Sequence, residues 1–177
     1  MLKSIKEVYI MKINFGCGEH KLPGFIGVDK VKTKAADVIH DMNCMPYPFA
    51  DDSVDEILMS HILEHLPDTI SVMEEIWRIS KNNARITIIV PYYNSVGAFQ
   101  DPTHVRFFTE RTFDYFSLDN DSEFSKWNYY SKARFKIISV NPVQKKILSF
   151  LPRRIQWFLA HHFSTIHHLK YELQVLK

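Results

Sequence analysis

The sequence predicts an α/β fold: one doubly wound, mostly parallel sheet with a shortened first crossover and a late antiparallel pair of strands at its edge. Three observations lead there. Short β-branched and aromatic runs recur through the first half of the chain and give way to a strongly amphipathic helical segment. Four of the five glycines (Gly16, Gly18, Gly24 and Gly27) crowd behind the first of these runs. The run Arg85–Val90 (RITIIV) is nearly continuous in apolar residues, as suits a strand covered on both faces of a parallel sheet.

The elements follow in order. Tyr9–Phe15 is the first strand and runs into Gly16-Cys17-Gly18; Gly24–Asp29 is the second and Ala36–His40 the third. Val54–Met59 is the fourth. Asp68–Ser80 carries Ile70, Met73, Ile76, Trp77 and Ile79 at helical spacing, with Asp68 as N-cap. Arg85–Val90 is the fifth strand, entered through Lys81-Asn82-Asn83-Ala84, where asparagine tolerates a left-handed turn. A long aperiodic loop, Pro91–Phe108, precedes a helix at Glu110–Phe116 capped by Thr109. Phe135–Val140 and Tyr171–Leu176 are the late strand pair. The expected organisation is a single domain over residues 1–177, with a core at 9–140, a helical insert at about 144–168 and a last strand at 171–176.

Composition excludes several classes. Apolar residues make up 46% and charged residues 24%, so disordered and fibrous chains are set aside. A net charge of +2 gives no reason to expect a nucleic-acid partner. Two cysteines, Cys17 and Cys44, make no disulfide framework. The first residues lack the apolar stretch of a signal peptide, so a cytoplasmic location is expected.

Glycine permits positive φ and close backbone approach to a ligand, so the cluster after the first strand marks a binding loop. A dinucleotide fingerprint would need a third glycine where Lys21 stands, and a crossover helix for which the chain leaves no room. Asp29 ends the second strand, where a carboxylate can accept both ribose hydroxyls. Asp41 follows the third strand, in reach of an adenine amino group. A nucleoside cofactor other than a dinucleotide fits these positions.

INFGCGEHKLPGFIGVDK, HDMNCMPYPFADDSVDEILMSHILEHLPD, MEEIWRISKNNARITIIVPYY and DPTHVRFFT occur in that order over about Lys12–Phe116. Together they resemble the class I S-adenosylmethionine-dependent methyltransferases, in particular a bacterial group of small members. The resemblance implies a Rossmann-like fold and S-adenosyl-L-methionine as cofactor. It implies that Gly16, Cys17 and Gly18 approach the methionine part, Asp29 holds the ribose, Asp41 and the Met42 backbone hold the adenine, and Ser60 and His61 face the sulfonium. The resembled group is linked with surface-glycan biosynthesis, which implies a small-molecule or glycan acceptor, methylated on oxygen.

His61-Ile62-Leu63-Glu64-His65 also matches the HxxEH pattern of zinc peptidases. Pro67 leaves little helix for a shared histidine face, so Glu64 and His65 are expected to orient the loop and no metal ligands are assigned. The Pro91–Phe108 loop is expected to form the acceptor wall through Tyr92, Tyr93, Asp101, His104 and Arg106. His104 is the leading candidate base and His61 the second. Cys17 has no partner base and reads as a packing residue.

Residues 144–177 carry six Lys or Arg against Glu172 alone. Ile147, Leu148, Leu151, Ile155, Phe158 and Leu159 are expected to cover the sheet while the charges face water. The alternative is weak contact of residues 145–163 with an anionic membrane surface, which would put the chain on the inner face of the membrane. His161, His162, His167 and His168 are expected on the surface. Two other functions fit parts of the pattern: a non-catalytic nucleoside-binding module with a basic docking tail, and the HxxEH peptidase.

Overall fold

A computed structural model of the chain describes residues 10–118, 123–144 and 150–177. Tyr9 of the expected first strand and Lys145, Lys146, Ile147 and Leu148 of the tail lie outside them. The strands are β1 (Lys12–Phe15), β2 (Ile26–Asp29), β3 (Val38–Ile39), β4 (Val54–Ser60), β5 (Ser80–Pro91), β6 (Phe135–Gln144) and β7 (Ile166–Val175). The helices are α1 (Thr69–Ile79), α2 (Val96–Gln100) and α3 (Arg153–Phe163). The sheet order is β3-β2-β1-β4-β5-β7-β6; the first five strands are parallel, and β7 runs antiparallel to both β5 and β6. This is the fold class that the sequence predicts.

Local chemistry explains the elements. α1 starts where the Asp68 carboxylate accepts the Ser71 amide at 3.0 Å. It buries Val72, Met73, Ile76 and Ile79, while Ile70, expected on the same face, is exposed. The helix runs straight into β5 at Ser80. Asn83 then takes φ +67°, and the pairing with β4 slips between Val54 and Glu56. The asparagine turn is therefore present, but inside a longer strand. Ile13, Phe15, Ile57, Met59, Ile88 and Leu173 are fully buried along the centre of the sheet.

The second half departs from expectation. The loop after β5 holds a short helix, α2, because Ser95 caps it through the Ala98 amide at 3.2 Å. The helix expected at Glu110–Phe116 is a 3-10 turn at Thr112–Phe116. β7 begins at Ile166 and not at Tyr171, since it pairs on both sides and the two histidines at its start are held by β5 and β6. Ile155 and Phe158 of α3 are exposed and do not cover the sheet.

Topology positions the site. The order reverses between β1 and β4, and ligands of such sheets bind at the carboxyl ends of the strands beside that point. Gly16 follows β1 there and His61 follows β4. Because β7 is antiparallel, its first residues reach the same edge: His168 pairs with Pro91, the last residue of β5.

Candidate functional site

The glycine loop is built by backbone constraint. Gly16 and Gly18 take φ +66° and +52°. Gly16 also abuts the next loop: a Cβ there would stand 2.9 Å from the Ile62 Cβ. Outside Gly18 there is open space. The amides of Gly16 and Cys17 donate to the Val28 carbonyl at 2.8 and 3.2 Å. The Gly18 amide donates to Asp29 Oδ2 at 2.9 Å, and the Val31 amide donates to Oδ1 at 2.9 Å. The Asp29 carboxylate is thus fixed at the end of β2 with one lone pair spent on each oxygen.

A narrow cleft of ≈ 80 Å³ lies along these residues, lined among others by Gly16, Asp29, Asp41, Met42, Ile62 and His65. Asp41 is held by Asn43, whose amide and side-chain nitrogen donate to its Oδ1 at 2.9 and 3.0 Å. Met42 is buried, and its carbonyl accepts the Tyr47 hydroxyl at 3.1 Å. Cys17 is buried. Burial, with the nearby Asp29 charge, pushes its thiol pKa up, as expected of a packing thiol and not a nucleophile.

His61 leaves β4 in a left-handed conformation, φ +54°, and its Nδ1 lies 3.1 Å from Glu64 Oε1. Its side chain is 42% exposed, whereas that of Glu64 is 1% exposed. The His168 ring meets the His61 ring edge-on at 4.7 Å. Burial, then the neighbouring His61 and His167, lower the His168 pKa, with Glu64 opposing. His61 and His65 share no helix face, because Leu63–His65 is a single 3-10 turn. His65 Nδ1 instead bonds Thr103 Oγ1 at 2.9 Å. The HxxEH peptidase arrangement is therefore not formed.

The residues expected to line the acceptor divide into three groups. His104 and Asp101 meet the Glu64 loop: His104 Nε2 stands 4.0 Å from Glu64 Oε1 and 3.9 Å from Asp101 Oδ2. The His104 side chain is 9% exposed, and its Nδ1 lies 3.1 Å from the Ala98 carbonyl. Tyr92 is buried and reaches His161 Nδ1 at 3.2 Å, with Tyr93 at 3.4 Å from the same atom. Arg106 donates to the Pro67 carbonyl at 2.7 Å and lines a larger cleft of ≈ 600 Å³ with Phe107, Thr109, Tyr115 and Tyr130. That cleft touches neither Gly16 nor Asp29.

The sequence marks Glu64 only as a loop-orienting residue and not as the buried centre of the site; His161 is on the surface as expected, whereas His168 is part-buried. The alternation of β7 was the available signal for His168, masked by a polar start to the strand.

A family profile described as a methyltransferase domain matches residues 23–88. No curated protein matches the chain. Solved structures match over nearly its whole length. A chain of the complex between the Haloferax volcanii Trm112 methyltransferase activator and the putative methyltransferase aligns at TM-score 0.61 and 13% identity, over 96% of this chain and 84% of that one. An Archaeoglobus fulgidus SAM-dependent methyltransferase aligns at 0.60 and 15%, over 95% and 87%. One from Methanosarcina mazei aligns at 0.57 and 15%, over 99% and 98%. Identities this low speak for the fold alone, and the profile covers less than half of the chain. The chain thus has the fold of these SAM-dependent methyltransferases, and its residues 23–88 are similar to a methyltransferase domain.

Proposed function

We propose that the chain methylates a hydroxyl oxygen of a small-molecule or glycan acceptor, with His61 taking the acceptor's proton. The observation that carries this reading is the pairing of a half-exposed His61 with a buried Glu64 at the end of β4, next to the loop that packs on Gly16. A hydroxyl is a poor nucleophile until its proton is removed, and a positioned imidazole suits that task near neutral pH. His104, the other candidate base, is turned inward.

In this reading the narrow cleft offers the hydrogen-bond acceptors that the cofactor's ribose and adenine would need. Asp29 retains lone pairs for two ribose hydroxyls, and Asp41 stands at the adenine end. The cofactor supplies a methyl group already activated on a sulfonium. The protein aligns the acceptor oxygen behind it and keeps water out, which supplies roughly 7–11 kcal/mol of the barrier. His61 Nε2 would take the acceptor hydroxyl's proton, while the bound donor would supply the methyl group and leave as its thioether. Glu64 stabilises the resulting imidazolium through Nδ1. The rings of Phe107, Tyr115 and Tyr130 and the polar Thr109 in the larger cleft suit the apolar and hydroxyl faces of a sugar and support the glycan reading.

We also propose that the chain contacts the cytoplasmic face of an anionic membrane. Phe150, Phe158 and Phe163 are 75%, 56% and 66% exposed beside the exposed Arg153 and Arg154. α3 connects β6 to β7 at the carboxyl edge of the parallel strands, and Asn94 donates to its Ala160 carbonyl at 2.6 Å. A membrane on this face would present acceptors to the site.

The test is release of S-adenosylhomocysteine on soluble and lipid-linked glycan acceptors. His61→Asn should lower kcat by about 10²–10⁴-fold with cofactor affinity kept. Unchanged turnover in the variant removes His61 as base. Cofactor binding without turnover on any acceptor would favour the non-catalytic module.

A further inference from the structure

We propose that Glu64, His65 and His104, with Asp101 beside them, bind a divalent transition-metal ion, zinc by the chemistry of the set. This goes beyond the methyl-transfer reading and does not depend on it. One ligand atom from each of Glu64, His65 and His104 lies within 4.8 Å of the others. Ligand atoms about 2.1 Å from a tetrahedral zinc stand about 3.4 Å apart, so side-chain adjustments of about 1 Å close the site.

The hydrogen bonds fix both imidazoles in the form that a metal needs. The Thr103 hydroxyl donates its one hydrogen to Asp101 Oδ1 at 2.6 Å. It must therefore accept from His65 Nδ1–H at 2.9 Å, which leaves His65 Nε2 with a bare lone pair. His104 Nδ1 can only donate to the Ala98 carbonyl, so its Nε2 is the nitrogen available for coordination. Metal-bound histidines almost always have their second nitrogen tied in this way to a carbonyl or a polar side chain.

The carboxylates supply the second, independent observation. Glu64 is almost fully buried, and among the described residues its Oε2 has no hydrogen-bond partner. A buried carboxylate oxygen left in this state is costly, and a cation removes the cost. His104 Nε2 faces Glu64 Oε1 at 4.0 Å and Asp101 Oδ2 at 3.9 Å, too far for a hydrogen bond to either. Those are distances across which an ion bridges. The set differs from the HxxEH pattern: His104 stands where that pattern has His61, whose Nδ1 instead pairs with Glu64 Oε1 at 3.1 Å.

Such an ion would clip two loops together. The amides of Val105 and Arg106 already donate to the Glu64 carbonyl at 2.9 and 3.1 Å. The metal would fasten the side chains above that junction and hold the 101–106 segment against the β4–α1 loop.

The test uses the whole chain, stripped with chelator, dialysed, and titrated with Zn²⁺ alone by calorimetry, then with Co²⁺ by visible absorption. Expected are one equivalent of Zn²⁺ per chain, d–d bands typical of four-coordinate cobalt, and a higher Tm with zinc. His65→Ala and His104→Ala should each weaken binding more than about 100-fold, beyond the loss typical of an outer-shell partner. Glu64→Gln, which keeps the side-chain volume, should also weaken it. His61→Ala should bind zinc as the wild type does. Absence of zinc uptake by folded wild type, or uptake that survives both His65→Ala and His104→Ala, overturns the proposal.

Discussion

At Gly27 the backbone of β2 passes so close to Ala35 that a side chain has no room. An added Cβ would collide with the Ala35 carbonyl oxygen and stand 3.0 Å from Cys17 Sγ. Gly27→Ala should therefore destabilise the protein by more than about 2 kcal/mol, read by denaturant unfolding. His168 makes a different prediction. Its pKa is lowered by burial and by His61 and His167, so the folded state favours the neutral ring. Stability from this group is complete above the ordinary histidine value and is lost as pH falls below it, through the lowered folded value. The Tm should fall on acidification from pH 7 to about pH 5, and less steeply in His168→Gln. A pH dependence identical in the variant would contradict this. At residue scale the sequence was informative where a rare type stood at a strand end: Gly16, Asp29 and Asp41 line the same cleft, and the Gly18 amide holds Asp29. It was uninformative for Glu64, because only tertiary burial separates that carboxylate from the other glutamates.

α1 does more than cross the sheet. Near its end Arg78 forms a fork with Glu75, Nε to Oε1 at 2.8 Å and Nη2 to Oε2 at 2.7 Å, and donates to the Phe49 and Tyr47 carbonyls at 3.0 Å. Glu75 Oε2 accepts the Tyr47 amide at 2.8 Å. Tyr47 in turn holds Met42 in the narrow cleft beside Asp29 and Asp41. Arg78→Ala should cost about 2 kcal/mol, a Tm loss of about 4–8 °C, and should weaken cofactor binding as well. Arg78→Lys should recover little, since an ammonium cannot make the fork. At α3 the exposed Phe158 and Ile155 predict co-flotation with anionic vesicles at low salt, lost in Phe158→Asp. Failure of the wild type to float would remove the membrane contact. Element boundaries were readable where caps or periodicity marked them, as at Asp68. They were not readable in β7, where pairing from two neighbours extends a strand through two histidines.

Seen whole, the molecule is a sheet with most of its crossover helices reduced to loops. β1, β2 and β3 follow one another without an intervening helix, and α1 is the crossover between β4 and β5. The strand order and the direction of β7 nevertheless bring β1, β2, β3, β4 and the ends of α3 and β7 to one edge. Strand alternation and glycine placement foretold the sheet. They could not foretell that the tail would return to the site, because that depends on pairing across the chain. Among the described residues no helix is long and apolar enough to cross a membrane. The central proposal is that the cleft behind β1 and β2 takes the nucleoside of S-adenosyl-L-methionine, with Asp29 on its ribose. The most direct measurement is calorimetric titration of the wild type and Asp29→Ala with S-adenosylhomocysteine. Micromolar binding in the wild type, weakened more than about tenfold in the variant, is the predicted result. Folded wild-type protein that fails to bind, or a variant that binds equally well, would contradict it.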